Sequence, residues 1–155
     1  MSWEPYRAES YADFDDVESF CRSLAETHPE WVELETVGSS REGRPLLLLT
    51  VGAAETGPDG SERGQRPAVW LDGGTHAAEW AGVSAVLFAV SRWIEHLEQG
   101  DSAYVDWFRT HEVVAMPCIS PDGYQAMHEG APFVRSSLRP RADGTVREGL
   151  DPCDI

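Results

Sequence analysis

The segment Trp70-Leu71-Asp72-Gly73-Gly74-Thr75-His76-Ala77-Ala78-Glu79-Trp80 holds the residues best suited to chemistry. A short apolar run ends in two glycines, a histidine follows, and a glutamate three residues later opens a helical pattern. Imidazole nitrogen and carboxylate oxygen are both zinc-type ligands, and side chains three apart at a helix start can face one side. Ligands in open α/β sheets collect beyond the carboxyl ends of strands, where glycine lets the backbone turn sharply. The spacing therefore suits half of a metal site at His76 and Glu79. On spacing alone the commoner reading is different: an acid favoured by the positive end of a helix dipole, preceded by a loop histidine.

The elements that must position these two residues follow from periodicity. Phe14, Val17, Phe20, Cys21 and Leu24 define one apolar face of a helix over Asp13 to Thr27. Asp13 suits the N-cap, Asp15, Asp16 and Glu18 suit the first turns, and His28-Pro29 is a stop. Trp31 to Val37 alternates as a strand, and Leu46 to Val51 reads as a strand buried on both faces. Gly, Pro and charge mark Glu55 to Arg66 as a surface loop. Ala68 to Leu71 is a short strand ending at Asp72-Gly73-Gly74. Glu79 to Gln99 carries a broad apolar stripe and is the longest expected helix, closed by Gly100. Tyr104 to Arg109 suits a short helix and Glu112 to Met116 a strand, while everything beyond Ser120 reads as loop. Strands alternating with helices predict an α/β fold, a mixed or parallel sheet flanked by helices. Residues 1–155 are expected to form one domain, with 125–155 an irregular arginine-rich segment containing Arg135, Arg139, Arg141 and Arg147.

Composition excludes several functions. The 155 residues carry 27 acidic and 12 basic side chains, a net charge of −15, and every basic residue is arginine. That balance argues against nucleic acid or an anionic membrane as partner. No apolar run approaches the length of a membrane span. The missing lysine reflects coding bias or adaptation to high salt. Cys21, Cys118 and Cys153 form neither a disulfide framework nor a CxxC pair, and no basic-then-apolar leader opens the chain, so a cytoplasmic setting is slightly favoured. There is no GxSxG elbow, P-loop or GxGxxG fingerprint. Cys118 between Pro117 and Ile119 reads as a buried thiol rather than a nucleophile, and Asp151-Pro152-Cys153-Asp154 has too few carboxylates for a calcium loop.

Four motifs in order change the weight given to His76 and Glu79. Val37-Gly38-Ser39-Ser40-Arg41-Glu42-Gly43-Arg44-Pro45 is followed by Gly73-Gly74-Thr75-His76-Ala77-Ala78-Glu79-Trp80. Then come Ser120-Pro121-Asp122-Gly123-Tyr124 and Val134-Arg135-Ser136-Ser137-Leu138-Arg139-Pro140. Together they resemble the carboxypeptidase A-like zinc metallocarboxypeptidases over about residues 6 to 155, with Ser120 where that family's motif has asparagine. The resemblance implies a partial zinc-carboxypeptidase-like α/β sandwich. It implies zinc as cofactor, His76 and Glu79 as the first two ligands, and a peptide or protein C-terminus as substrate. It also implies an oxyanion-stabilising arginine: Arg139 by its place in the motif, with Arg135 as the alternative. The family's third ligand, general base and carboxylate-gripping residues fall at positions after Ile155. His28 reads as a helix-end residue, and His96, His111 and His128 (the last expected in a loop) carry no motif marking a replacement ligand.

Three functions compete at this stage. The first is a zinc exopeptidase acting on C-terminal peptide bonds, of which this chain is the N-terminal part. The second is an aspartoacylase-like zinc deacylase of N-acyl amino acids, which shares the His-x-x-Glu pair. The third is an inactive fragment or interaction module, because the chain carries two ligands out of three and no base; it would self-associate or be completed by another chain, since two or three helices are too few to cover both faces of the sheet.

Overall fold

The computed structural model describes residues 3–131, 133 and 134. Helix α1 runs Phe14–Thr27, and the Asp13 side chain caps it by accepting the Asp16 amide. Its buried face is Phe14, Val17, Cys21 and Leu24. Strand β1, Val32–Ser39, and strand β2, Pro45–Val51, form an antiparallel pair whose register shifts between Thr36 and Gly38. Strand β3, Ala68–Asp72, leads into helix α2, Trp80–Glu98, then helix α3, Ser102–Thr110, and strand β4, Glu112–Met116. β4 lies between β2 and β3, antiparallel to the first and parallel to the second, so the sheet is mixed, in the order β1-β2-β4-β3. A parallel pair needs a long crossover, which α2 and α3 supply.

One core holds the molecule together. Leu47, Leu49 and Val51 of β2 and Val113 and Ala115 of β4 point to one face, where they meet Phe14, Val17, Cys21 and Leu24 of α1 and Val83, Leu87, Val90 and Ile94 of α2. Each fully buried side chain of this size contributes on the order of 1.5–3 kcal/mol. The other face is thinner. Leu46, Leu48 and Val114 are half-buried there, and Trp70 is 56% exposed. The expectation that Leu46 to Val51 is buried on both faces is thus corrected: a continuous apolar run carries no period that would reveal unequal covering.

Two further expectations are corrected. Pro121–His128 is a helix, α4, not a loop, so the irregular segment cannot begin at 125. Gly123 and the absence of an apolar period hid it, although proline at the first position and Asp122 in the first turn are proper start signals. The loop before β3 is likewise less superficial than its composition suggests. Arg66 is buried and donates to the carbonyls of Ala53 and Glu55, while Glu112, also buried, accepts the Gly64 amide at 2.9 Å. The arginine works as a peg for backbone that has no strand partner.

Candidate functional site

The sheet delivers the site at the carboxyl end of β3. The chain leaves the strand through Gly73, whose amide donates to Met116 O at 3.0 Å and whose carbonyl accepts the Ile119 amide at 3.1 Å. A Cβ on Gly73 would lie 2.7 Å from Gly82 O and 2.8 Å from Pro117 O, so only glycine lets the loop run between α2 and the exit of β4. Gly74 then takes φ +60°, the left-handed region that glycine adopts without strain.

From there the chain is laced to the motif at the start of α4. The Ser120 amide donates to Gly74 O at 3.0 Å and its hydroxyl to Thr75 O at 2.8 Å. Ser120, where the family's motif has asparagine, therefore holds the loop by a side-chain donor. Thr75 donates to Asp72 Oδ1 at 3.0 Å, and Asp72 Oδ2 accepts the Trp70 indole at 2.7 Å.

His76 and Glu79 converge. The His76 Nδ1–H donates to Glu79 Oε1 at 2.9 Å, and the Glu79 amide closes the turn onto His76 O at 3.0 Å. Glu79 is the N-cap of α2 but makes no capping bond to the helix backbone, because its carboxylate reaches back to the imidazole. The side chains are 27% and 58% exposed, open to a ligand from solvent. As donor chemistry the pair fits zinc. Two ligands of a tetrahedral ion, each about 2.1 Å away, stand about 3.4 Å apart, and this pair needs to open by only a few tenths of an ångström from its hydrogen-bonded 2.9 Å. Among the described residues no group of three His, Cys, Asp or Glu converges as a metal site.

The other histidines are employed elsewhere. His96 bonds Asp101 at 3.2 Å and stacks on Tyr104. His111 stacks on Trp107 and shares a hydrogen bond with Thr110. His28 is buried against Trp3, beside Glu98 and Glu30. His128 lies in the last turn of α4, not in a loop, and stacks on Trp80. Arg139 and Arg135 lie outside the described residues.

The structure also explains a motif that spacing left unassigned. Asp122 is 2% exposed and gathers the earlier Ser40-to-Arg44 turn: it accepts from Ser40 Oγ at 2.6 Å, the Glu42 amide at 3.2 Å and Arg44 Nη1 at 3.0 Å. Burial weakens Arg44's hold on its proton, but the carboxylates of Glu42 and Asp122 more than offset this and its pKa is raised. Two motifs some 80 residues apart are thus one ion-paired unit, two residues along the chain from the Ser120 that holds the His76 loop. Nothing in local spacing links Asp122 to Arg44; only their recurrence in one resemblance could have suggested it.

A sequence model of the zinc carboxypeptidase family matches residues 17–153. This chain belongs to the zinc carboxypeptidase family. Carboxypeptidase B of Astacus astacus is 36% identical over 115 residues, covering 74% of this chain and 34% of its own length. Carboxypeptidase A1 of Sus scrofa is 28% identical over 143 residues, covering 92% of this chain and 32% of its own length. The chain thus spans about a third of the length of these curated relatives. Among solved structures, bovine thrombin-activatable fibrinolysis inhibitor in complex with tick carboxypeptidase inhibitor superposes with a TM-score of 0.70 at 23% identity. That match covers 86% of this chain and 39% of the other, and it shows a shared fold. The mixed sheet with its helices is therefore a partial carboxypeptidase-like α/β fold, and the family in which the chain belongs is one of zinc-dependent hydrolases, the metallocarboxypeptidases.

Proposed function

We propose that the protein hydrolyses C-terminal peptide bonds of peptides or proteins, with His76 and Glu79 supplying two of the donors to a zinc ion. The observation that carries this reading is their convergence at the carboxyl end of β3, Nδ1 and Oε1 2.9 Å apart on a loop stapled from both sides. When bound, zinc supplies a Lewis acid for the scissile carbonyl and lowers the pKa of a water. The chain's own residues do the rest of what can be assigned. Ser120 and the two glycines fix the loop, Glu79 holds the His76 imidazole through its carboxylate, and His76 must give up its Nδ1 proton to become a donor.

The oxyanion role is assigned to Arg139, with Arg135 as the alternative, on the strength of the motif. On the strength of the same resemblance, the third protein donor and the general base are assigned outside the described residues. The deacylase reading is not favoured, since the relatives matched are carboxypeptidases.

Competition against a chromophoric chelator tests the site. The full chain is expected to take up one zinc per molecule, and His76→Ala or Glu79→Ala is expected to weaken binding at least tenfold while leaving the far-UV spectrum unchanged. Equal zinc affinity in all three proteins would reject His76 and Glu79 as ligands.

A further inference from the structure

We infer that His128 is a positioning residue for Glu79: its imidazole stacks on Trp80 and so fixes the first turn of α2 from which the Glu79 carboxylate projects. This rests on the metal reading of His76 and Glu79, and adds to it a residue distant in sequence.

The starting observation is that α2 begins without an ordinary cap. Glu79 has φ −92° and ψ 61° and makes no side-chain bond to the helix. A helix end with uncapped amides frays unless tertiary contacts hold it. Here the contact is made by the first helical residue. The Trp80 ring lies 4.2 Å from the His128 ring with the planes only 19° apart, a face-to-face stack. Its other aromatic neighbours among the described residues make edge contacts, Tyr11 at 5.5 Å and Tyr124 at 6.3 Å between centroids. His128 leans in turn on Tyr124, 4.7 Å away, and the Tyr124 hydroxyl is tied to Ala12 O. The stack is therefore backed by a fully buried side chain rather than by solvent.

The same helix grips the other ligand. α4 begins just after Ser120, which holds Gly74 and Thr75, and ends with His128 against Trp80. α4 and its N-cap Ser120 thus bracket the candidate pair, one end on the His76 loop and the other on the turn that bears Glu79. Among the described residues Trp80 Nε1 and His128 Nε2 are both buried without a hydrogen-bond partner. Leaving two polar atoms unpaired costs stability, so the rings are not held there by hydrogen bonds through these atoms. Flat-on packing is what they contribute. Desolvation lowers the His128 pKa against the opposing charges of Asp13 and Asp16, which favours the neutral ring. A residue that orients a ligand without touching the metal typically changes metal affinity by about 10–100-fold when lost.

The test compares His128→Ala, which removes the stack, with His128→Phe, which keeps a flat ring and removes the unpaired nitrogen. Zinc affinity of the full chain is read by chelator competition, and the His76 ring ¹⁵N shifts are read without metal. The inference expects about a tenfold loss of zinc affinity and displaced His76 shifts in His128→Ala, with His128→Phe within about threefold of the parent. Parent-like zinc affinity and His76 shifts in His128→Ala would overturn it. So would a loss in His128→Phe equal to that in His128→Ala, because the stack would then not be the cause. If the parent chain takes up no zinc, the metal reading fails separately. The shifts alone then decide: displaced in His128→Ala and not in His128→Phe supports the positioning role, and unmoved in both rejects it.

Discussion

At the scale of single residues, the contrast between His76 and Cys118 separates what is open to chemistry from what is closed to it. The two lie on neighbouring segments at the end of β3 and β4, yet only the histidine faces solvent. Burial pushes the Cys118 thiol from 9.0 up to about 12, and burial, followed by the charge of Glu18, does the same to Cys21. A thiol without its thiolate is neither nucleophile nor metal ligand, which agrees with reading Cys118 as a packed side chain. The sign of the stability effect follows. The folded state keeps protons that the unfolded chain releases above pH 9, so this contribution is complete below pH 9 and is lost as pH rises from 9 toward 12. Tyr124, raised above its ordinary 10.0 by burial, adds to the same loss at the alkaline end. Urea midpoints are expected to fall steeply above pH 9, with Cys118→Ala showing a visibly shallower slope. Iodoacetamide at pH 8 should leave Cys21 and Cys118 unmodified until the chain is unfolded. Rapid native labelling of Cys118 would show the thiol to be accessible.

At the scale of elements, the site depends on how closely β3's exit passes the start of α2. Gly73 and Gly82 face each other across this gap, but they are not equivalent. A Cβ on Gly73 meets carbonyl oxygens at 2.7 and 2.8 Å, whereas one on Gly82 meets only Gly74 N at 3.5 Å and Gly73 Cα at 3.7 Å. Gly73→Ala must therefore move backbone. Its cost is expected to be about 1–3 kcal/mol, the usual range for overpacking, with loss of zinc binding. Gly82→Ala makes ordinary contacts inside a helix and is expected to stabilise by roughly 0.5–1 kcal/mol. Thermal melts of the two variants check the pair, and similar melting shifts for both would show that the loop relaxes freely. The Gly73-Gly74 break was legible in the sequence, as were α1, α2 and β4, because each carries its own period or cap. α4 was not, since its buried side, Asp122, Tyr124 and Gln125, is mostly polar and is stabilised by distant partners: Arg44, Ala12 O and the Phe14 amide. The His76–Glu79 pair was visible as a spacing, but the stack of His128 on Trp80 was not. It joins elements separated by the whole α2–α3–β4 crossover, and no local pattern reports such a contact.

At the scale of the molecule, charge and apolar exposure pull in opposite directions. A net charge of −15 on 155 residues, with cations only as arginine, opposes both compaction and contact between copies at low ionic strength. Against this, β3 bounds the described sheet with Val69 54% and Trp70 56% exposed, and Trp70 shares its face with the half-buried Leu46, Leu48 and Val114. A short hollow lined by Leu71, Trp93, Tyr104, Trp107 and Phe108 opens beside the same strand, on the opposite face. An edge with free backbone groups and apolar side chains on both sides recruits another strand when repulsion permits. The Debye length falls from about 10 Å at 0.1 M salt to about 3 Å at 1 M. Adding salt therefore removes the long-range repulsion and leaves the short-range apolar attraction intact or strengthened. Sedimentation of the 155-residue chain is expected to show monomer at low salt and a growing share of dimer toward molar salt, while the melting temperature rises over the same range. Val69→Arg places a charge at the edge and is expected to hold the chain monomeric without lowering the melt by more than a few degrees. A compact monomer from low to molar salt would mean that β3 is not an adhesive edge. Salt-driven dimer that survives Val69→Arg would instead move the contact away from β3.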